Sequence, residues 1–360
     1  LIRLAEISDD HFEELKNVAD IDEWAKFSAF QTINQSWHNS LDHNMRLISD
    51  LWSGKVTPIV HDTGSIFTSE KNKKLIFDNN PHSLYDIYNQ SSYFLSLKYN
   101  YLYDILNSDV LLNTANHASE LLDKLSNSWE RESFRTQFGM TNSTIKRKTD
   151  KSTMKKIWQQ IPEVIKSRNQ IMLKKLSDVT NVSWHQNNNI FSLVTKSLVP
   201  INDISVTLNK NSHPQISVYY DQDNNGKISE DDILIPTVYE QNKVIIHGEF
   251  FANRNSLKTN FKDWPTVELG NTQFNLIFSE PVKINTVEAK NALTKNAFNI
   301  SKKASKGQSP SRFNIPIIKS HLEVEYWSGI KEIKNDVIIN NPVVIAPGTR
   351  ILMNEASNLI

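Results

Sequence analysis

Residues 221–232 read DQDNNGKISEDD, a twelve-residue stretch whose oxygen-bearing side chains are spaced to wrap one hard cation. Calcium takes six to eight oxygens, and a loop of this length supplies them from its first, third, fifth, seventh, ninth and twelfth positions. Asp221, Asp223 and Asn225 fill the first three of these. Gly226 stands where the loop turns sharply, Lys227 would offer its backbone carbonyl, and Ser229 would bind directly or through water. Asp232 closes the set in place of the longer Glu, which shortens its reach for two-oxygen binding. The stretch follows a strand-like run, Ile216 to Tyr220, and not a helix. It is therefore more similar to calcium loops set into extracellular β-domains than to a paired sensor EF-hand. The same residues also suit a solvated Asn-Gly hairpin turn.

A second constellation lies nearer the N-terminus. Residues 44–67 read NMRLISDLWSGKVTPIVHDTGSIF: a strand, a Gly turn, a second strand, and then Asp62. The polar run WHNSLDHN, residues 37–44, precedes it. This block resembles the spore-coat-protein-H (CotH) kinase family, in which a polar loop with an Asn leads into a hairpin that ends in a metal-binding Asp. The resemblance covers residues 1–178 and the C-terminal lobe only. Softer matches are Tyr99-Asn100-Tyr101-Leu102-Tyr103 in a helix and the ending IPEVIKSRNQIMLKKL.

The resemblance implies phosphoryl transfer from ATP to a protein hydroxyl, with magnesium or manganese. It makes Asp62 the metal ligand that holds the nucleotide phosphates, Asn44 a second magnesium ligand, and Asp42 the group that orients the acceptor hydroxyl. Asp42 and Asn44 are taken as the catalytic pair. They stand closer together than the Asp and Asn of a protein-kinase catalytic loop, so His38 or Asn39 shares the candidate role. The run HDTG lacks the family's second acidic residue. Asp42 and Asp62 also suit plain turn and cap positions of a hairpin. The glycine-rich cover and phosphate-binding Lys of the family match no residue here, and 36 residues before Trp37 are too few for a nucleotide-binding lobe. The chain is read as a fragment that would not catalyse transfer alone. The alternative is a non-catalytic surface scaffold with a degenerate kinase fold.

Composition narrows the remaining classes. In 360 residues, Lys+Arg and Asp+Glu both number 40, which removes bulk charge as a reason to bind nucleic acid. There is no cysteine, so neither a disulfide framework nor thiolate chemistry is available. No apolar run is long enough to span a bilayer. The ten histidines are scattered, without a zinc-protease pattern; His38 and His43, five apart, suit either zinc ligation or, as the plainer reading, local hydrogen bonding. Expected partners are a protein substrate or a surface-layer component of a bacterial cell, placing the protein outside the cell or on its surface.

The elements that must position these groups fall into blocks, together a multidomain α+β architecture. Residues 1–178 read as mainly helical: Asp20 and Glu23 form a capping-box-like start, and Ile21, Trp24, Phe27, Phe30 and Ile33 recur on a buried helix. Further helices are expected over 91–107, after Asp109, and over 161–178, with a polar loop at 139–152. From 181 to 289 the period becomes two. Ile204/Val206/Leu208, Ile216/Val218/Tyr220, Val244/Ile246 and Phe274/Leu276/Phe278 predict an immunoglobulin-like β-sandwich. Residues 290–315 are polar and basic and read as a linker. Residues 316–360 are β-rich, and VVIAPGTRILMNEASNLI resembles the opening of a right-handed parallel β-helix.

Overall fold

The computed structural model describes residues 12–35, 45–61, 75–78, 88–131, 151–209, 216–256, 267–304, 306–311, 313–318, 325–327, 329–333, 343–345 and 348–353. The chain is a mixed α+β protein that divides into two compact units, Leu1–Ile317 and Ile318–Ile360.

In the larger unit, α1 (Phe12–Val18) leads into α2 (Ile21–Asn34). The Asp20 carboxylate caps α2 by accepting from the Glu23 amide at 3.3 Å, which satisfies one of the donors a helix start leaves unpaired. Trp24, Ala25, Phe27, Ala29 and Ile33 are buried, so this helix is core on most of its surface. It stops at Gln35, whose backbone turns left-handed at φ 52°. The Gln35 amide then brackets Ile76, accepting from its N–H and donating to its carbonyl, both at 2.9 Å.

Strands β1 (Arg46–Ser49) and β2 (Val56–Ile59) form the expected hairpin, with Arg46 opposite Ile59. Asp50 ties the turn by accepting from Trp52 N and Ser53 Oγ. The Trp24 indole donates to Val56 O at 3.0 Å, which docks the hairpin on α2.

Next come α3 (Ser92–Asn107), α4 (Val110–Arg131) and α5 (Lys151–Ser177). The last begins ahead of its expected start at 161 and runs through Pro162. The polar loop expected at 139–152 overlaps the first residues of α5 and otherwise lies outside the described residues.

Two sheets follow. The first has the order β15-β3-β4-β12-β6-β7 and the second β14-β13-β5-β9-β8. Their strands are β3 (Val182–Asn187), β4 (Ile190–Thr195), β5 (Ile201–Leu208), β6 (Val218–Tyr220), β7 (Ile233–Ile235), β8 (Thr237–Glu240), β9 (Lys243–Phe250), β12 (Thr272–Phe278), β13 (Ile284–Asn291), β14 (Ala297–Asn299) and β15 (Ser301–Lys302). A separate pair is β10 (Arg254–Ser256) with β11 (Val267–Leu269). The two large sheets pack face to face: Phe250 of β9 meets Phe274 of β12 edge-on, centroids 5.3 Å apart. The residues predicted to alternate inward are the buried ones, from Ile204 and Val206 to Leu276 and Phe278. Period-two burial on both inner faces is what such packing requires.

The structure departs from the expected divisions in two places. The break between helices and strands at 178–181 falls inside one compact unit. Val199, Phe251 and Leu293 pack in one cluster with Leu95, Tyr99 and Leu102 of α3 and Met172 and Leu176 of α5. Residues 290–315, read as a linker, instead supply the end of β13, all of β14 and β15, and a strap laid back on the helices. Ser92 Oγ donates to Ile315 O at 2.6 Å, and Asn314 donates to Phe251 O at 2.9 Å. The composition misled because the segment's apolar anchors, such as Leu293 and Ile300, are few and scattered, and the rest of its hold runs through backbone and amide groups.

In the smaller unit, β16 (Glu325–Trp327) pairs parallel with β18 (Val343–Ile345), Glu325 opposite Val343. Strand β17 (Ile330–Ile333) pairs parallel with β19 (Arg350–Met353), Ile330 opposite Arg350. Each strand thus stacks on the strand two further along the chain.

Candidate metal centre

The 221–232 stretch is the loop of a β-hairpin. Strands β6 and β7 pair antiparallel from Val218↔Ile235 to Tyr220↔Ile233, so both ends of the loop are fixed. Asp221 N donates to Asn275 O at 3.0 Å, extending the ladder to β12. Asn275 Nδ2 donates to Asn224 Oδ1 at 3.1 Å and anchors the middle of the loop to the same strand.

Within the loop the carboxylates converge. Asp221, Asp223 and Asp232 each place an oxygen within 4.8 Å of the others. Asp221 accepts from Asn225 N and Gly226 N at 3.0 and 3.1 Å, which winds the chain around its carboxylate. Gly226 adopts φ +72°, and Asn224 is left-handed at φ 55°, so the turn needs residues that tolerate positive φ. Asp232 folds back across the loop, accepting from Gln222 N at 3.1 Å and Ser229 N at 2.8 Å. A two-residue Asn-Gly turn would not bring the twelfth position back onto the second. Asn225 donates its amide to Asp223 and accepts from Lys227 N; its carbonyl oxygen keeps a second lone pair for a ligand.

Two features are unfavourable without a cation. Asp221 is 1% exposed, and burial raises its carboxyl pKa; Asp223 and Asp232 raise it further, against the Gly226 amide bond that lowers it. Ser229 Oγ, at the ninth position of the loop, is buried with no hydrogen-bond partner. Buried polar atoms are rarely left unsatisfied, and a cation among these oxygens would engage it and offset the carboxylate repulsion. The donor set is all oxygen, which suits a hard divalent ion. Among the sequence candidates, Asp221, Asp223 and Asp232 are brought together here, with Ser229 and Asn225 as neighbours in the loop. Lys227 stands in the same loop, donating its amide to Asn225 Oδ1 at 2.6 Å.

The other expected site cannot be compared in the same way. Asp42, Asn44 and Asp62, like His38, Asn39 and His43, lie outside the described residues. What is described is the hairpin between them. Its antiparallel register brings the chain in before Arg46 and out after Ile59 at one end.

Sequence reasoning missed a buried polar cluster in the same unit. Asp78 receives Lys98 Nζ at 2.8 Å, the Tyr99 hydroxyl at 2.7 Å and Arg254 Nε at 3.0 Å. Burial alone would raise the Asp78 carboxyl, but Lys98, Arg254 and the Tyr99 hydrogen bond outweigh it and hold it well below the usual carboxylate range. A signal for it was present in α3, where Lys98 interrupts the apolar face made by Phe94, Leu95 and Leu102. Arg254 and Asp78 carry no comparable local mark.

No family model, curated protein or solved structure matched the chain in comparisons with each of these sets.

Proposed function

We propose that this chain belongs to an extracellular or cell-surface bacterial protein, in which a calcium-binding, immunoglobulin-like β-sandwich is fused to the C-terminal lobe of a CotH-like kinase domain. The segment after Ile318 is the beginning of a β-solenoid in this reading. The observation that carries it is the convergence of Asp221, Asp223 and Asp232 beside the unpartnered Ser229 hydroxyl. Calcium is the ion proposed, because it accepts irregular sets of six to eight oxygens, whereas magnesium demands near-octahedral geometry. The cation's role is structural: it locks the β6–β7 loop onto β12. No helix among the described residues is long and apolar enough to cross a membrane.

For the helical part, the proposal keeps the kinase roles: Asp62 and Asn44 hold magnesium or manganese with ATP, and Asp42 orients a protein hydroxyl. The β1–β2 hairpin supports it by connecting the two candidate segments at one end. One observation favours the alternative, a non-catalytic scaffold for adhesion or assembly. The helices share a core and the Asp78 cluster with the β-sheets, so the helical part is built into a larger compact unit.

Calorimetric titration of this chain with calcium tests the metal reading; one site lost in Asp221→Ala is the expected result, and no heat at millimolar calcium would remove it. Phosphoryl transfer by the full natural gene product separates the other two readings. Loss in Asp62→Ala supports the kinase, and no transfer by either protein supports the scaffold.

A further inference from the structure

Among the described residues, the most exposed apolar side chains stand at the tip of the β1–β2 hairpin. Leu51 is 94% exposed and Trp52 is 98% exposed. Ile48, on the shaft below them, is 53% exposed. Large aromatic side chains are mostly covered in folded proteins, and adjacent apolar residues left open mark a surface that meets something other than water.

The turn holds both tip side chains outward. Asp50 N donates to Lys55 O and Gly54 N donates to Asp50 O, each at 2.8 Å. The Asp50 carboxylate accepts from Ser53 Oγ at 2.6 Å, from Trp52 N at 3.0 Å and from Ser53 N at 3.3 Å. Gly54 completes the reversal at φ +70°, a region open to glycine. Leu51 and Trp52 are thus carried by a closed turn, and little conformational freedom is lost when they are buried.

Charge is arranged behind the tip. Residues 46–60 carry Arg46, Asp50 and Lys55, two cations to one anion. Both Asp50 oxygens are engaged by the turn itself. Arg46 and Lys55 make no ion pair among the described residues. Their long stems let the charged ends reach away from the apolar tip. An apolar summit backed by cations matches the order of a phospholipid surface, acyl chains first and phosphates outside them.

Area selects the occupant. The Trp and Leu side chains together offer roughly 200–400 Å². A stable protein interface takes about 800 Å² from each partner, so this tip is too small to hold one. A bilayer surface sets no such threshold, because binding grows with each apolar group inserted and each cation at the phosphates.

We infer that the β1–β2 tip is a membrane-contact site: Leu51 and Trp52 enter the interface of an anionic phospholipid bilayer, and Arg46 and Lys55 engage its phosphates. This goes beyond the metal-binding and phosphoryl-transfer readings and depends on neither.

The test is co-flotation of this chain with vesicles of phosphatidylcholine, alone or mixed with phosphatidylglycerol. Binding to the mixed vesicles is expected, and it should weaken as salt rises. Replacing both Leu51→Ser and Trp52→Ser should weaken it by about tenfold or more. Both side chains are almost fully exposed, so this variant should keep the Tm and circular dichroism of the unaltered chain. Replacing both Arg46→Gln and Lys55→Gln should weaken binding by about fivefold or more and remove the preference for the mixed vesicles. No flotation at millimolar lipid, or flotation unchanged in the Leu51/Trp52 variant, would overturn the inference. Unchanged affinity in the Arg46/Lys55 variant would overturn the assignment to anionic lipid. A dimer found by sedimentation without lipid, and lost in Trp52→Ser, would overturn it in favour of a second copy of the chain.

Discussion

Arg254 Nε lies 3.0 Å from Asp78 Oδ2, and neither side chain is accessible to solvent beyond 4%. The same carboxylate holds Lys98 Nζ at 2.8 Å through its other oxygen. Arg254 also donates to the carbonyls of Ala252 and Leu198, so it fixes two connections of the β-sheets against a residue on the helical side. Burying three charges is expensive unless every donor is used, and here the cluster engages backbone carbonyls as well as the carboxylate.

Asp78→Ala leaves two buried cations without their anion. We expect a loss of about 3–5 kcal/mol of stability, measured by denaturant unfolding of the larger unit. A change below about 1 kcal/mol, the scale of an exposed pair, would contradict the cluster's burial.

The same cluster sets an acid limit. Asp78 is held below its unfolded pKa, so its contribution is complete above about pH 4 and is lost as the pH falls below that toward its folded value. Unfolding free energy should therefore decline on acidification below about pH 4. In Asp78→Asn that decline should be shallower, as followed by circular dichroism across a pH series.

Calcium stabilisation should have the same pH sense as the Asp78 pairing, lost on acidification, whereas the cation-free loop has the opposite sense. The Asp221 carboxyl is raised, so its ionisation costs stability as pH rises through the folded value when no cation is present. Cation binding removes that cost and competes with the proton. At a hundredfold excess of calcium over its dissociation constant the gain is about 2.7 kcal/mol, read as a rise in Tm. The rise should be full at neutral pH and shrink on acidification through the raised pKa. Magnesium at equal concentration should give less.

Gly226→Ala should cost about 1–3 kcal/mol, because a side chain at φ +72° is strained. The added Cβ would also stand 3.1 Å from Ile190 Cδ1. Adding Ile190→Val removes that methyl and should recover part of the loss, leaving the backbone strain. Thermal unfolding of the two single variants and the double variant separates the terms.

Gly307→Ala tests whether the strap is packed. Its Cβ would meet Gln273 N and Asn271 O at 2.8 and 2.9 Å, in backbone that cannot swing aside. We expect about 1–3 kcal/mol of destabilisation and faster proteolysis after Lys302. The unaltered chain should resist cleavage across Ala297–Lys302, where the backbone is paired in β14 and β15.

The sequence alone determined what depends on local period and local chemistry. Alternation from Ile204 to Phe278 marked the inward faces of both sheets, since a pleated strand exposes every second residue to the same side. Asp20 marked the start of α2, and the spacing from Asp221 to Asp232 marked the loop in which three carboxylates converge, because such a set is written in one short stretch of sequence. Tertiary structure alone decided what depends on distant residues meeting. Asp78, Lys98 and Arg254 form one cluster only after the helices pack against the sheets, and no window of sequence contains all three. Residues 290–315 look like a linker because many of their anchors are bonds made by the backbone, such as the Ser92 hydroxyl to Ile315 O and Gln273 N to Gln308 O, which composition does not record. Likewise the parallel pairing of Trp327 with Ile345, and of Ile333 with Met353, fixes which apolar residues are enclosed and which remain open, a distinction made by stacking order and not by residue type.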